Sequence, residues 1–181
     1  MFARLKSLKN KVRRFKKARR GSAAIEFALV VIPFFMLTAG LAEVAMIGFA
    51  QTSLDFAVAE TSRLIRTGQA QTSNMSATQM RDAMCTQINK FLIMGCQNNL
   101  FLDVERFNSF VDADTNNDPT ADGTLDDSDV TYAPGASSDI VVVRAYYRWH
   151  VLTPMFEPIF ENMSNGDRIL VSTMMFRNEP W

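Results

Sequence analysis

The sequence predicts an α+β protein, in which a long N-terminal transmembrane helix continues into a small exported domain with a second helix and a short antiparallel sheet. Three observations carry this prediction. Residues 27–42 form a run of sixteen residues without a charge. Apolar residues then recur at helical spacing as far as residue 65. Residues 139–152 are rich in β-branched and aromatic residues, which favours a strand, and residues 167–176 form a second strand candidate antiparallel to it.

The apolar segment from residue 27 to residue 50 has the length of a membrane span. As a helix it would extend about 36 Å, at about 1.5 Å per residue. The hydrocarbon core of a bilayer is about 30 Å thick, so the segment is long enough to cross it. A buried helix of a soluble protein is the alternative interpretation, but it leaves the adjacent positive charges without a purpose.

Charge is divided sharply along the chain, although the formal net charge is zero. Residues 1–20 contain ten Lys or Arg and no Asp or Glu, so the rest of the chain carries a net charge of −10. The positive-inside rule places this basic segment in the cytoplasm and exports the residues after about 50. The segment is either a basic amphipathic helix on an anionic leaflet or a disordered leader. The neighbouring span favours a membrane, and not nucleic acid, as its partner.

A short motif opens the apolar segment: Gly21 and Ser22 are followed by Glu26 and Phe27. A charge near hydrocarbon is costly and usually has a partner, although Glu26 could simply reach headgroup water. A basic leader, a glycine and then this Glu-aromatic pair resemble the type III signal of prepilins. The resemblance implies that a prepilin peptidase cuts after Gly21, which leaves Ser22 as the new N-terminus. Glu26 would then be the fifth residue of the processed chain and Phe27 the sixth.

A longer stretch is similar to one branch of these proteins, the TadE-like family of pseudopilins, which are minor pilins of tight-adherence (Flp) pilus systems. The resemblance rests on Ala24, Glu26, Phe27, Ala28, Leu29, Pro33, the later Glu43 and, more loosely, the ending Asn178-Glu179-Pro180. It implies a pilin-like exported domain and a role in pilus assembly, and hence in cell adhesion. The implied partners are the prepilin peptidase, a second pseudopilin and the platform proteins of the inner membrane.

A second carboxylate, Glu43, interrupts the span seventeen residues after Glu26, roughly 26 Å further along a helix. It either marks the outer membrane interface or contacts a polar group on a partner helix. Thr38 and Ala42 are small enough to let a partner helix approach closely. We therefore predict a helix–helix contact at Glu43, Thr38 and Ala42.

The domain organisation that follows is a cleaved cytoplasmic leader (1–21), a transmembrane helix (22–50) and an exported domain (51–181). Within the exported domain, the S-x-x-Q pattern that begins at Ser76 predicts a capping box and a helix to about Leu92. An isolated pair of cysteines in an oxidising exterior favours a disulfide between Cys85 and Cys96, with two free thiols as the alternative.

Residues 112–129 form an acidic loop in which four oxygen-bearing side chains alternate as the first ligands of an EF-hand do. These side chains belong to Asp112, Asp114, Asn116 and Asp118. Asn117 and Gly123 stand where an EF-hand needs a glycine and a glutamate. The segment is therefore either an irregular calcium site or a solvated acidic loop.

The sequence contains no Walker loop, dinucleotide fingerprint, hydrolase elbow or zinc spacing. We therefore expect no enzyme, and no cofactor apart from the calcium that the acidic loop could hold. The predicted protein is a TadE-like pseudopilin in the bacterial inner membrane, with a cytoplasmic N-terminus and a periplasmic C-terminal domain. The alternative is an uncleaved, signal-anchored periplasmic binding module whose acidic loop binds calcium.

Overall fold

A computed structural model describes residues 21–90, 95–115, 123–125, 128 and 130–181. By its packing the chain divides into two compact units, one ending at Ala42 and the other covering Glu43–Trp181. The predicted fold class is confirmed, because a long apolar helix, shorter helices and a three-stranded antiparallel sheet are all present. The leader of residues 1–20 lies outside the described residues, and the domain boundaries drawn at residues 21 and 50 stay predictions.

The first helix, α1, covers Ser22–Arg66 without interruption, as the run of apolar residues followed by helical spacing predicts. Arg63 and Arg66 lie in its last turn, where the negative end of the helix macrodipole favours cations. The chain then turns at Gly68, whose φ of 77° is a left-handed conformation that glycine adopts most easily.

The last residues of the sequence close over the end of α1. The backbone N–H of Glu179 donates to the carbonyl of Arg66 at 2.8 Å, which satisfies one of the carbonyls that a helix end leaves open. The indole of Trp181 lies so close to Gly68 that a Cβ at that position would be 2.4 Å from the ring. The Asn178 side-chain amide donates to the carbonyls of Pro134 and Ala136. Hydrogen bonds therefore join the last residues both to the end of α1 and to the segment that contains Pro134 and Ala136.

The sheet consists of strands β1 (Leu100–Phe107), β2 (Ile140–His150) and β3 (Asp167–Arg177), in the order β1-β2-β3. Both pairings are antiparallel. Strands β2 and β3 fall on the two segments that the sequence analysis singled out. Strand β1 was not predicted, because its first residues are buried on both faces and so lack the alternation that marks a half-buried strand.

The shorter helices are α2 (Gln69–Thr72), α3 (Ala77–Ile88) and α4 (Glu157–Phe160). The predicted capping box is confirmed, since the Ser76 hydroxyl accepts from the Gln79 N–H and the Gln79 side chain accepts from the Ser76 N–H. Helix α3 ends at Ile88 and not near Leu92, because Asn89, a poor helix former, caps it. Residues 91–94 lie outside the described part of the chain.

The main core lies where α1 and α3 meet one face of the sheet. Helix α1 contributes Leu54, Ala57, Val58 and Ile65, α3 contributes Met80, Met84 and Ile88, and β2 contributes Val141, Val143, Ala145, Tyr147 and Trp149. A smaller cluster on the opposite face of the sheet consists of Phe101, Leu125, Tyr146, Met163 and Ile169. Strand β2 is therefore buried on both faces.

A disulfide joins Cys85 in α3 to Cys96 in the segment before β1. Both cysteines are buried, with 1% of each residue exposed, and they belong to the main core. The bond fixes the end of α3 against the start of the sheet.

Removing this bond with the double substitution Cys85→Ala/Cys96→Ala lowers the free energy of unfolding by about 2–3 kcal/mol, because the unfolded chain regains the freedom of a short loop. Urea denaturation of the full chain in detergent, followed by tryptophan fluorescence, measures the change. As a control, a reductant added to the wild-type protein should lower its midpoint similarly and leave the variant unaffected. Equal unfolding midpoints for the variant and the oxidised wild type would show that the bond does not stabilise the fold.

Candidate functional site

The residues of the predicted processing motif lie at the start of α1. Gly21 is exposed and immediately precedes Ser22, the first residue of α1, and a Cβ placed on it would meet no atom of the described residues within 4 Å. Glu26 and Phe27 are exposed in the first turns, where Phe27 shows 68% of its surface. The side chain of Ser22 lies outside the described part. The described residues therefore do not shield Gly21 from another protein.

The first unit presents an apolar surface that none of its described residues covers. One helical window within Ala23–Arg66 has a mean hydropathy of 2.1, and none of it is buried. Large apolar side chains such as Leu29, Phe35 and Leu41 each expose more than 60% of their surface. An apolar surface of this extent is unfavourable in water, and it is what a helix in hydrocarbon presents.

Thr38 and Ala42, which the sequence predicts to face a partner helix, are exposed on this part of α1. The Thr38 hydroxyl donates to the Phe34 carbonyl one turn earlier, at 2.8 Å. The Thr38 hydroxyl therefore has its acceptor within the helix. What Thr38 and Ala42 offer a partner helix is their small size, which permits a close approach. The contact itself stays a prediction.

Glu43, the first residue of the second unit, is buried, with only 2% of its surface exposed. Its Oε1 accepts from the indole N–H of Trp149 at 3.4 Å and from the backbone N–H of Leu152 at 3.1 Å. Its Oε2 accepts from the Thr153 hydroxyl at 3.1 Å. One carboxylate thus ties α1 to the end of β2 and to the segment after it.

These partners of Glu43 were missed by sequence reasoning, which considered only the membrane interface and a partner helix. The donors lie more than 100 residues further along the chain, so no local pattern connects them to Glu43. Side-chain chemistry could have indicated them. A buried carboxylate needs hydrogen-bond donors, and a strand end with a tryptophan and a threonine four residues later supplies them.

Two further buried acids, also missed by sequence reasoning, form ion pairs with arginines of β2. Asp103 in β1 accepts from the Arg144 guanidinium at 3.3 Å, directly across the strand pair, and Glu105 lies 3.2 Å from the same guanidinium. Asp167, the first residue of β3, lies 3.8 Å from Arg148 and contacts the Nδ1 of His150. Each pairing satisfies a charge that would be costly to bury alone.

Tyrosines of the second unit have altered acidity. Burial raises the pKa of Tyr132 and of Tyr147 above the usual value of 10.0. Both phenols are therefore neutral at physiological pH, and neither becomes a nucleophile there. This agrees with packing roles for both rings, which belong to the main core or pack against it.

Most of the side chains predicted to bind calcium lie outside the part of the chain that the structure describes. Asp112 begins a 3-10 turn that ends at Thr115, whereas Asn116 and Asp118 lie outside the described residues. Within the described ranges, no group of three or more His, Cys, Asp or Glu residues is placed to hold a metal ion. Calcium binding by the acidic loop therefore stays a prediction.

These observations define an α+β protein with one helix near its N-terminus that is long and apolar enough to cross a membrane. Residues 21–63 match the family model described as TadE-like protein. The match confirms the resemblance predicted from the sequence and begins at Gly21. The TadE-like family is structural, is associated with tight-adherence pilus systems and is not known for enzymes, so the similarity of residues 21–63 suggests a role in such a system. The comparisons with curated proteins and with solved structures find no match.

Proposed function

We propose that the chain is a pseudopilin, or minor pilin, that acts in assembly of a tight-adherence (Flp-type) pilus after a prepilin peptidase cuts it following Gly21. The observation that carries the proposal is the match of residues 21–63 to the TadE-like model, which starts at the proposed cleavage residue. The bare apolar surface of the first unit supports it, because α1 then remains as the membrane anchor of the processed chain.

The orientation of the anchor follows from charge. The ten Lys or Arg among residues 1–20 stay on the cytoplasmic face, and the second unit is exported to the periplasm. Gly21 then lies on the cytoplasmic side, where the peptidase acts on prepilins. A disulfide between Cys85 and Cys96 suits the oxidising periplasm.

Cleavage creates a positive charge with which the Glu26 carboxylate can pair. The new α-amino group on Ser22 is a cation near the membrane surface, and the carboxylate of Glu26 lies one helical turn further along the chain. Pairing of the two, within one chain or with a neighbouring pseudopilin, offsets the cost of holding each charge near lipid. An intermolecular pair also sets the stagger between adjacent helices.

We expect Glu26→Gln to leave membrane insertion and cleavage intact but to abolish surface pili. The amide keeps the size of the side chain and removes the charge that would pair with the α-amino group. Membrane fractionation, intact mass and electron microscopy of the cells measure insertion, cleavage and pili in turn.

Glu60→Gln is the matched control, because Glu60 is an exposed glutamate further along the same helix. It should give normal pili. If cells with Glu26→Gln carry a normal number of pili, Glu26 has no part in assembly.

The proposed partners follow from these steps. The prepilin peptidase reads the start of α1, a second pseudopilin packs along its bare apolar surface, and the inner-membrane platform proteins receive the pair. Thr38 and Ala42 are small and exposed, so they would let the second pseudopilin pack closely against α1.

A further inference from the structure

A nine-residue loop after β2 exposes an unusual amount of apolar surface. This apolar loop, residues 152–160, contains one charged residue, Glu157. Leu152, Met155 and Ile159 expose 46%, 58% and 69% of their surfaces. Single exposed apolar residues are ordinary, but three large ones within nine residues are an unusual concentration, and concentrations of exposed apolar surface mark interaction sites.

The backbone of the apolar loop is suited to a place with little water. Residues 154–156 form a 3-10 turn that leads directly into α4, and the Phe156 N–H donates to the Thr153 carbonyl at 2.8 Å. Pro154 and Pro158 have no N–H to satisfy. Few backbone donors are therefore left to lose hydrogen bonds when the loop enters an apolar medium.

The position of the loop on α1 indicates which apolar medium it meets. Its first two residues, Leu152 and Thr153, donate to the buried carboxylate of Glu43. Glu43 directly follows the sixteen uncharged residues 27–42 and is the first charge after them. The start of the loop is therefore bonded to the residue that directly follows the uncharged part of the proposed span.

We propose that the apolar loop inserts Leu152, Met155 and Ile159 into the periplasmic leaflet, as a second membrane contact beside α1. The contact is with lipid chains and not with charged headgroups, because residues 152–160 contain no Lys or Arg. The inference rests on the proposed membrane anchoring of α1. Together with the Glu43 hydrogen bonds, it would hold the second unit at a fixed height on the bilayer.

Site-specific fluorescence of the full chain in phosphatidylcholine vesicles tests the proposal. The native cysteines are buried and bonded to each other, so a thiol-reactive dye reacts with an introduced cysteine alone. Met155→Cys and Ile159→Cys report on the loop. Val111→Cys is the matched control, since this apolar residue is 77% exposed and follows the end of β1 that pairs with the far end of β2. Phe35→Cys reports on the span.

The expected result is that spin-labelled lipid quenches the labels at 155 and 159 at least about twofold more than the label at 111, because an interfacial segment buries its apolar face about 5–10 Å deep. Aqueous iodide should show the reverse order. If the labels at 155, 159 and 111 are quenched equally while the label at 35 is quenched by lipid, the loop proposal is overturned and the membrane anchor still stands.

Two other outcomes also contradict the proposal. Labels at 155 and 159 that are shielded from iodide but not quenched by lipid would mean that protein, such as a second copy, covers the loop. Absence of lipid quenching at 35 would remove the membrane anchor, and the loop proposal would fail with it.

Discussion

Gly21→Leu should leave the chain at full length in the membrane and abolish surface pili. A peptidase that cuts after a glycine can bring its catalytic groups close to a backbone that has no Cβ. Leucine places a branched side chain at that point, while the helix after it is unchanged. Intact mass of the membrane fraction measures processing, and electron microscopy of cells that lack the wild-type copy measures pili.

Gly48→Leu is the matched control for this experiment. Gly48 also lies on α1, and among the described residues a Cβ there likewise meets no atom within 4 Å. The control should be processed and should support pili as the wild type does. Normal processing of Gly21→Leu would show that the peptidase does not cut at this residue, whatever the control does.

Glu43→Ala should destabilise the second unit by about 3–5 kcal/mol, because three donors lose their acceptor and an unsatisfied buried polar group costs about 1–3 kcal/mol. The donors belong to Trp149, Leu152 and Thr153. Urea denaturation of the full chain in detergent measures the loss, and the fluorescence of Trp149 reports directly on the site.

Two variants separate this effect from a general loss of charge on α1. Glu43→Gln keeps a carbonyl oxygen for the donors of Trp149 and Leu152, so it should destabilise less than alanine does. Glu60→Ala removes an exposed glutamate of the same helix and should change stability little. Equal stability of Glu43→Ala and Glu60→Ala would show that the hydrogen bonds to Glu43 do not hold the sheet to the helix.

The elements that the sequence predicted are those whose signal is local. Helix α1 shows an uncharged run followed by helical spacing, and α3 begins with a capping box within four residues. Strand β2 is a continuous β-branched and aromatic segment. In each case the residues that determine the structure are near neighbours, so the pattern is visible without the fold.

The features that sequence reasoning missed depend on contacts between distant segments. Strand β1 carries Asp103 among apolar residues, and this acid is tolerated only because Arg144 lies opposite it on β2. Glu43 is buried only because the end of β2 provides donors. The partners in each pairing are far apart in the sequence, so no local spacing indicates the contact. A buried charge then appears only as an interruption of the apolar pattern.

The predicted processing site depends on local sequence more than the other features of the chain do. Gly21, Glu26 and Phe27 form a linear motif in an exposed segment, so the prediction of a processing site there needs little knowledge of tertiary structure. The apolar loop is the opposite case, because its importance depends on the hydrogen bonds that join it to Glu43.

The mature N-terminus tests the central proposal most directly. The full chain is expressed with and without a prepilin peptidase, and the intact mass of the membrane fraction is measured. The proposal predicts a species that starts at Ser22 and appears only when the peptidase is present. A full-length chain in both samples would contradict it and would leave a plain membrane-anchored protein without a pseudopilin role.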